Sequence, residues 1–410
     1  MKLVLLSLVC LVFVFKIAIK ILDYKNRNAS IPENVKDVYN QNEYLNWRNY
    51  KMDNLKLSTF QLVISFLVIM VLLIFNIHFL LFDFISKYSD SVAIKFAFIL
   101  LVLGLIELFF DSFFEYYQTF TIEEKYGFNK TTPKLFIKDK VIKFIAMLIV
   151  ETGLIYALYS VYTSFTNVYL FLVISLAIVF SIILIIPLLF PLVSKLFNKM
   201  TPLEDGPLKT EIINYTNKVN FPIQNVFVVD ASKRSTKANA YFMGYGKKRR
   251  IVLFDTLINQ LSTEEIVAVL AHEVGHAKGK HIFKQIPLSL FGSLLVLGGI
   301  FLLVSNSSVS VAFGFPNSNF LFSALLFFEL FPLINIFSGL ISNSFSRRYE
   351  YQADYYAATT YSKEEIISAL KMIAKNNLSN LSPHPLLVLI YASHPPLSKR
   401  IEAVNNINEI

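Results

Sequence analysis

The chain has 410 residues, of which 55% are hydrophobic and only 16% charged, and its mean hydropathy is +0.53. Soluble proteins of that length do not carry this balance, so the chain reads as a polytopic membrane protein with some soluble mass between spans. Its net charge of +9 is spread over alternate loops rather than gathered into a patch with interleaved aromatics, which argues against a nucleic-acid partner, and its single cysteine, Cys10, excludes an intramolecular disulfide and a cysteine-based metal site.

The first apolar run, Leu3–Leu22, contains Cys10 and ends near Lys16 and Lys20, whose ammonium groups can snorkel to the interface. No small-x-small cleavage pattern follows, so the run reads as an uncleaved first span. Six further runs, Thr59–Leu81, Ser91–Phe110, Val141–Tyr162, Val168–Leu192, Ile282–Val304 and Phe320–Ser342, are long enough to cross a hydrocarbon layer of about 30 Å. Basic residues alternate with them. The segments after spans 1, 3, 5 and 7 are rich in Lys and Arg, the segment after span 2 has only Lys87, and those after spans 4 and 6 have none. Seven spans put every basic segment on one side, which the positive-inside rule makes cytoplasmic, with the N-terminus outside and the C-terminus inside. Glu107, Glu151 and Glu329 fall within spans and are expected to face a bundle interior or a wet cavity; pairing and chamber lining are both open.

The expected divisions are residues 1–193 with five spans, a soluble segment 194–281, a span pair 282–342 and a cytoplasmic C-terminal segment 343–410. Within the soluble segment, Asn225–Asp230 and Arg250–Phe254 look like strands, with a glycine-bearing turn or edge at Tyr241–Gly246 between them. A helix over Thr263–Lys278 follows, carrying His272-Glu273-Val274-Gly275-His276. The tail is helical through Arg347–Thr360 and Lys363–Lys375 and breaks at Pro383 and Pro395-Pro396.

Histidines at i and i+4 share a helix face and can reach one metal ion, while Glu273 lies where it can deprotonate a water that the metal activates. Two histidines need a third protein ligand. Glu350 and Asp354, again i and i+4, supply one in Glu350 and a hydrogen-bond acceptor for the distal nitrogen of a ligand histidine, His272 by preference, in Asp354. This His/His/Glu set with an open fourth position points to one catalytic Zn2+ per chain. Each half has a bland reading, a chance pentapeptide or a solvated carboxylate face; together, on one side of the membrane, they support each other. In the tail, His394 is a candidate donor to the oxyanion, and Arg400 is a candidate to bind a substrate carbonyl or to hold the site together, unless His-Pro-Pro is only a turn before a basic helix. His78, inside span 2, His281, off the ligand face, and His384, in a loop, receive no role.

At this point the chain resembles the integral-membrane zinc metalloproteases that include the type I CaaX prenyl endopeptidases. The resemblance rests on Thr119–Asn129, Asn239-Ala-Tyr-Phe242 with Arg250–Leu257, the His272–His276 motif, Glu350 to Asp354, and His394-Pro with Arg400. It implies a mainly α protein in which seven tilted transmembrane helices surround an intramembrane chamber, with a zincin-like site at the cytoplasmic rim. It also implies a peptide or lipidated peptide substrate cut near a C-terminal C-a-a-X sequence, catalytic Glu273 and His394, and Asn239 as an aligner of the substrate backbone. Membrane lipid is the other expected partner, and a monomer would suffice. Lys/Asn/Ile-rich usage and the ending Ile407-Asn-Glu-Ile410, without a lysine-based retrieval signal, favour a bacterial inner membrane over an endoplasmic reticulum membrane. The alternatives are a membrane quality-control protease of the heat-shock HtpX type and a seven-span receptor or transporter with an accidental motif.

Overall fold

In the computed structural model the N-terminus forms one 24-residue helix, α1 (Lys2–Lys25), slightly longer than its apolar run. Residues 166, 244–248 and 408–410 lie outside the described part of the structure, and of residues 187–196, 333, 334 and 337 the side chains do. The expected Tyr241–Gly246 turn, the end of the fifth expected span, the middle of the seventh and the last three residues therefore fall wholly or partly outside the described residues. Four long helices complete the N-terminal half: α2 (Gln41–Ile74), then, after the short α3 (Ile77–Ser86), α4 (Val92–Tyr117), α5 (Pro133–Ser164) and α6 (Val168–Phe197).

The second expected span is broken. Asn76 adopts a left-handed conformation, φ 54°, between α2 and α3. The Lys2 ammonium donates to the Ile74 carbonyl at 2.9 Å and to Asn76 Oδ1 at 2.6 Å, which satisfies the exposed carbonyl end of α2. At its other end α2 starts well before the apolar run, closed by a capping box between Asn40 and Glu43.

Among the described residues, six helices are long and apolar enough to cross a membrane. Their outward faces carry Leu3, Phe109, Ile149 and Leu302, each at least 67% exposed, a surface that only lipid would cover without penalty. The seventh expected span begins the 41-residue helix α12 (Phe320–Thr360), whose described apolar part is Phe320–Pro332. This helix continues unbroken into the residues expected to ligate metal.

The basic segments meet at one end of the bundle. Lys371 pairs with Asp37 at 2.7 Å, Lys375 with Glu43 at 3.0 Å, Arg234 with Asp139 at 2.7 Å and Lys237 with Glu123 at 3.0 Å. Trp47 and Tyr39 from the first loop are buried against Ala374, Leu381 and Ile401 of the tail.

The soluble mass holds a four-stranded sheet where a strand pair was expected. β1 (Met200–Pro202), β2 (Asn225–Val229), β3 (Ala240–Met243) and β4 (Arg250–Phe254) lie in the order β1-β2-β4-β3. The two strands read from sequence, β2 and β4, pair in parallel, with Asn225 opposite Arg250 and Val229 opposite Phe254. β3 is antiparallel to β4 and stands last in the order. Helix α7 (Pro207–Lys218) lies between β1 and β2, and α8 (Asp255–Gln260) and α9 (Thr263–Lys278) follow β4. The chain then runs through α10 (His281–Ser305), the short α11 (Ser307–Val311), α12, α13 (Lys363–Asn376), α14 (Pro385–Tyr391) and α15 (Leu397–Asn405).

Helix α9 is the hub. A capping box between Ser262 and Glu265 starts it, and Ile266, Val267, Leu270, Ala271 and Val274 are buried in the soluble core with Ile212, Ile251, Leu253 and Ile366. Its opposite face lies against α12. Gly275 makes that approach possible: a Cβ there would sit 2.9 Å from the Ala353 Cα and 3.0 Å from the Tyr356 Cβ, so any side chain would push the two helices apart.

Candidate metal centre

The crossing of α9 and α12 brings four functional side chains into one buried cluster. His272 and His276, one turn apart on α9, aim their Nε2 atoms at a common point 3.1 Å across. Glu350 of α12 approaches both, Oε1 at 3.3 Å from His276 Nε2 and Oε2 at 3.6 Å from His272 Nε2. All three side chains offer one donor atom within 4.8 Å of the others.

The set fits a metal by two tests. Ligand atoms about 2.0–2.2 Å from a tetrahedral ion stand about 3.3 Å apart, the spacing seen here. Glu350 is only 5% exposed, and its Oε2 has no hydrogen-bond partner, the Arg400 guanidinium standing 3.5 Å away, so a bound cation would satisfy an oxygen that is costly to bury otherwise. Burial raises the proton affinity of Glu350, but His276, Arg400 and His272 outweigh it and hold the carboxyl below its ordinary range.

Asp354, one turn beyond Glu350 and 1% exposed, accepts from His272 Nδ1 at 2.9 Å. That bond puts the ring proton on Nδ1 and leaves the Nε2 lone pair facing the cluster. Arg400, from α15, grips Asp354 with two bonds, Nε to Oδ2 at 2.7 Å and Nη2 to Oδ1 at 2.6 Å, and reaches Glu350 Oε2 at 3.5 Å. Of the two uses the sequence offers for Arg400, holding the site together matches this geometry; its fork is committed to Asp354. Despite the burial, Arg400 and His272 keep the Asp354 carboxyl far below the usual carboxylate range.

His394 lies at the mouth of the cluster, its side chain 63% exposed and its Nε2 3.4 Å from Glu350 Oε1. Ser393 Oγ sits 2.9 Å from its Nδ1, so a hydroxyl donated there leaves Nε2–H as the donor toward the cluster. Glu273 lies within electrostatic reach of His272, His276, Glu350 and Arg400, and burial pushes its carboxyl above the ordinary range. Asn239 is not drawn into the cluster: it is exposed at the start of β3, and its side-chain carbonyl accepts from the Ala240 amide at 2.8 Å.

Two family profiles match the chain, one described as peptidase family M48 over residues 202–408 and one as CAAX prenyl protease N-terminal, five membrane helices, over residues 20–199. CAAX prenyl protease 1 of Saccharomyces cerevisiae is 34% identical over 310 residues, covering 72% of this chain and 68% of the yeast protein. The Homo sapiens CAAX prenyl protease 1 homolog is 32% identical over 338 residues, covering 72% and 70%. The crystal structure of S. mikatae Ste24p superimposes with a TM-score of 0.92 at 29% identity, covering 98% of this chain and 99% of that one. This chain belongs to peptidase family M48. It is a multi-pass membrane metalloendopeptidase.

One part of this M48 site has no signal in sequence spacing. His281, expected to lie off the ligand face, is only 3% exposed and places its Nδ1 2.9 Å from His276 Nδ1. Its Nε2 is 3.0 Å from Gln352 Oε1, and its ring stacks on Tyr349 at 4.4 Å. The amide oxygen of Gln352 accepts only, so His281 carries its proton on Nε2 and accepts on Nδ1. His276 must then donate from Nδ1, which frees its Nε2 lone pair. Lys280, at φ 53°, makes the turn that swings His281 back under the motif helix. His281→Ala is expected to lower metal affinity about 10–100-fold, the usual effect of removing a group that orients a ligand histidine. Chelator competition followed by metal analysis checks this; unchanged affinity would reduce His281 to packing. The other two unassigned histidines stay apart from the site. His78 packs edge-on against Phe322, and His384 caps α14 by accepting from the Leu386 amide at 3.2 Å.

The acidic span residues do not reach the M48 cluster either. Glu107 and Glu151 line a cavity of about 190 Å³ between α4 and α5, together with Asp111, Lys140 and Lys143.

Proposed function

We propose that this metallopeptidase binds one Zn2+ through His272, His276 and Glu350 and cleaves membrane-associated peptides near a C-terminal C-a-a-X sequence, prenylated ones included. The observation that carries the reading is the convergence of three donor atoms at tetrahedral spacing around a buried carboxylate oxygen with no hydrogen-bond partner. The CAAX substrate class rests on what the curated relatives are named for.

Zinc bound there would supply Lewis acidity, lowering the pKa of water to about 7 and polarising the scissile carbonyl. Everything else falls to the chain. Glu273 takes the proton of the attacking water and delivers it to the leaving amine; its burial, which raises its proton affinity, suits it to both halves of that transfer. His394 donates from Nε2 to the developing oxyanion. Arg400 holds Asp354, Asp354 holds His272, and the substrate backbone is aligned by Asn239 at the start of β3. The end that gathers the basic loops is the cytoplasmic one, so catalysis faces the cytoplasm. One copy of the chain carries every group named.

The test is cleavage of two matched C-a-a-X peptides, one farnesylated and one not, by purified protein in detergent, with and without a zinc chelator. The expected result is cleavage that the chelator abolishes and added zinc restores, faster on the farnesylated peptide. Stoichiometric zinc with neither peptide cut would overturn the substrate class, and chelator-insensitive cleavage would overturn the metal.

A further inference from the structure

A cavity of about 490 Å³ opens beside the cluster, with His394 and Arg400 in its wall. Its other walls are aliphatic: Leu370 and Ile373 of α13, Leu387 and Val388 of α14, and Leu397 of α15. Asp23 and Asn380 also line it, and the same two residues line a second cavity of about 470 Å³. The two spaces therefore adjoin at these residues, and the second lies at the junction of α1 and α2.

The second cavity holds the charge. Its carboxylates are already paired, Asp23 with Lys51 at 2.9 Å and Glu115 with Lys140 at 2.7 Å. Lys20 is different. Its ammonium donates to Ser58 Oγ at 2.7 Å and has no carboxylate within ion-pair distance among the described residues. A lysine near the end of a span would ordinarily extend to bulk water; this one is held inward, on the wall of a cavity. The neighbouring Lys51 Nζ is buried on the same cavity wall and makes no aligned hydrogen bond, though it pairs with Asp23 at 2.9 Å.

We infer that this cleft receives the three residues C-terminal to the scissile bond, and that Lys20, with Lys51 beside it, binds the substrate's terminal carboxylate. The inference rests on the peptidase reading above and names what fixes its register. Three extended residues span about 10 Å, the aliphatic walls accept apolar side chains, and a carboxylate gives the spare ammonium its missing partner. Cleavage then falls at a fixed distance from the chain end because the end itself is held.

The experiment compares one farnesylated C-a-a-X peptide as the free acid and as the C-terminal carboxamide, which match in size and differ by one charge. For the unaltered protein, kcat/KM is expected to favour the acid by about tenfold or more, the effect of one charge-assisted hydrogen bond at a half-buried site. In Lys20→Gln that preference is expected to collapse toward one, and Lys51→Met should reduce it. Equal cleavage of acid and amide by the unaltered protein overturns the anchor while the peptidase reading stands. A preference that survives Lys20→Gln overturns the assignment to Lys20, and cleavage of neither peptide overturns both readings. The peptide arm needs no variant to fold.

Discussion

Glu273→Gln is expected to lower kcat about 10²–10⁴-fold with the metal still bound one to one. The substitution keeps the shape of the side chain and removes its ability to take a proton. Glu273 is not among the three converging donor atoms, so metal content should not change. Folding should not suffer either, because burial already disfavours the charged form of this carboxyl and a neutral amide avoids that cost. Single-turnover cleavage beside metal analysis on the same sample checks the pair of expectations. More than a tenth of normal activity at full metal content would remove Glu273 from the proton transfer, and loss of metal would mean that the residue holds the site rather than serving it.

The second large effect concerns Asp354. Its replacement by Ala strands the Arg400 guanidinium, whose side chain is 11% exposed, and takes the acceptor from His272 Nδ1. Leaving a buried charge without its partner costs about 3–5 kcal/mol. Loss of the group that sets a ligand histidine's tautomer costs about 10–100-fold in metal affinity. The two consequences are separable. Asp354→Ala combined with Arg400→Met removes both charges, so stability in a thermal melt should largely return, while metal affinity should stay low because nothing orients His272. If the single variant melts normally and binds metal normally, the Arg400–Asp354–His272 chain is incidental to the site. Arg400→Lys should fall between, since a lysine cannot reproduce two parallel bonds to one carboxylate.

Much of this protein is legible along the chain because the relevant physics is local. An apolar run of about 20 residues is long enough to span a bilayer whatever surrounds it. His272 with His276, and Glu350 with Asp354, share a helix face because a turn takes 3.6 residues. The strands β2 and β4 show as β-branched and apolar runs. Even the meeting of the basic loops at one end follows from counting charges between spans.

What the tertiary structure decided depends on which distant surfaces touch. His272 and Asp354 are 82 residues apart, and their bond exists because Gly275 lets α9 and α12 approach to backbone contact. The parallel pairing of β2 with β4, the edge strand β1 and the break at Asn76 each depend on partners that no local pattern names. His281 sits five residues past His276, a spacing that takes it off the ligand face of a continuous helix; the Lys280 turn and the oxygen of Gln352 bring it to the ligand. Arg400 was visible as a cation near the site, but its partner was not: the two bonds it donates to Asp354, 1% exposed, join α15 to α12 across 46 residues. The sequence by itself determined that the chain is a multi-span helical membrane protein and which residue types share a face in the His272–His276 and Glu350–Asp354 pairs, because helix periodicity and transfer free energy act between neighbours. Only the fold decided the hydrogen-bond partners of His272 and His276 and which residues line the neighbouring cavities, because hydrogen bonds and cavities belong to elements that the chain brings together from far apart.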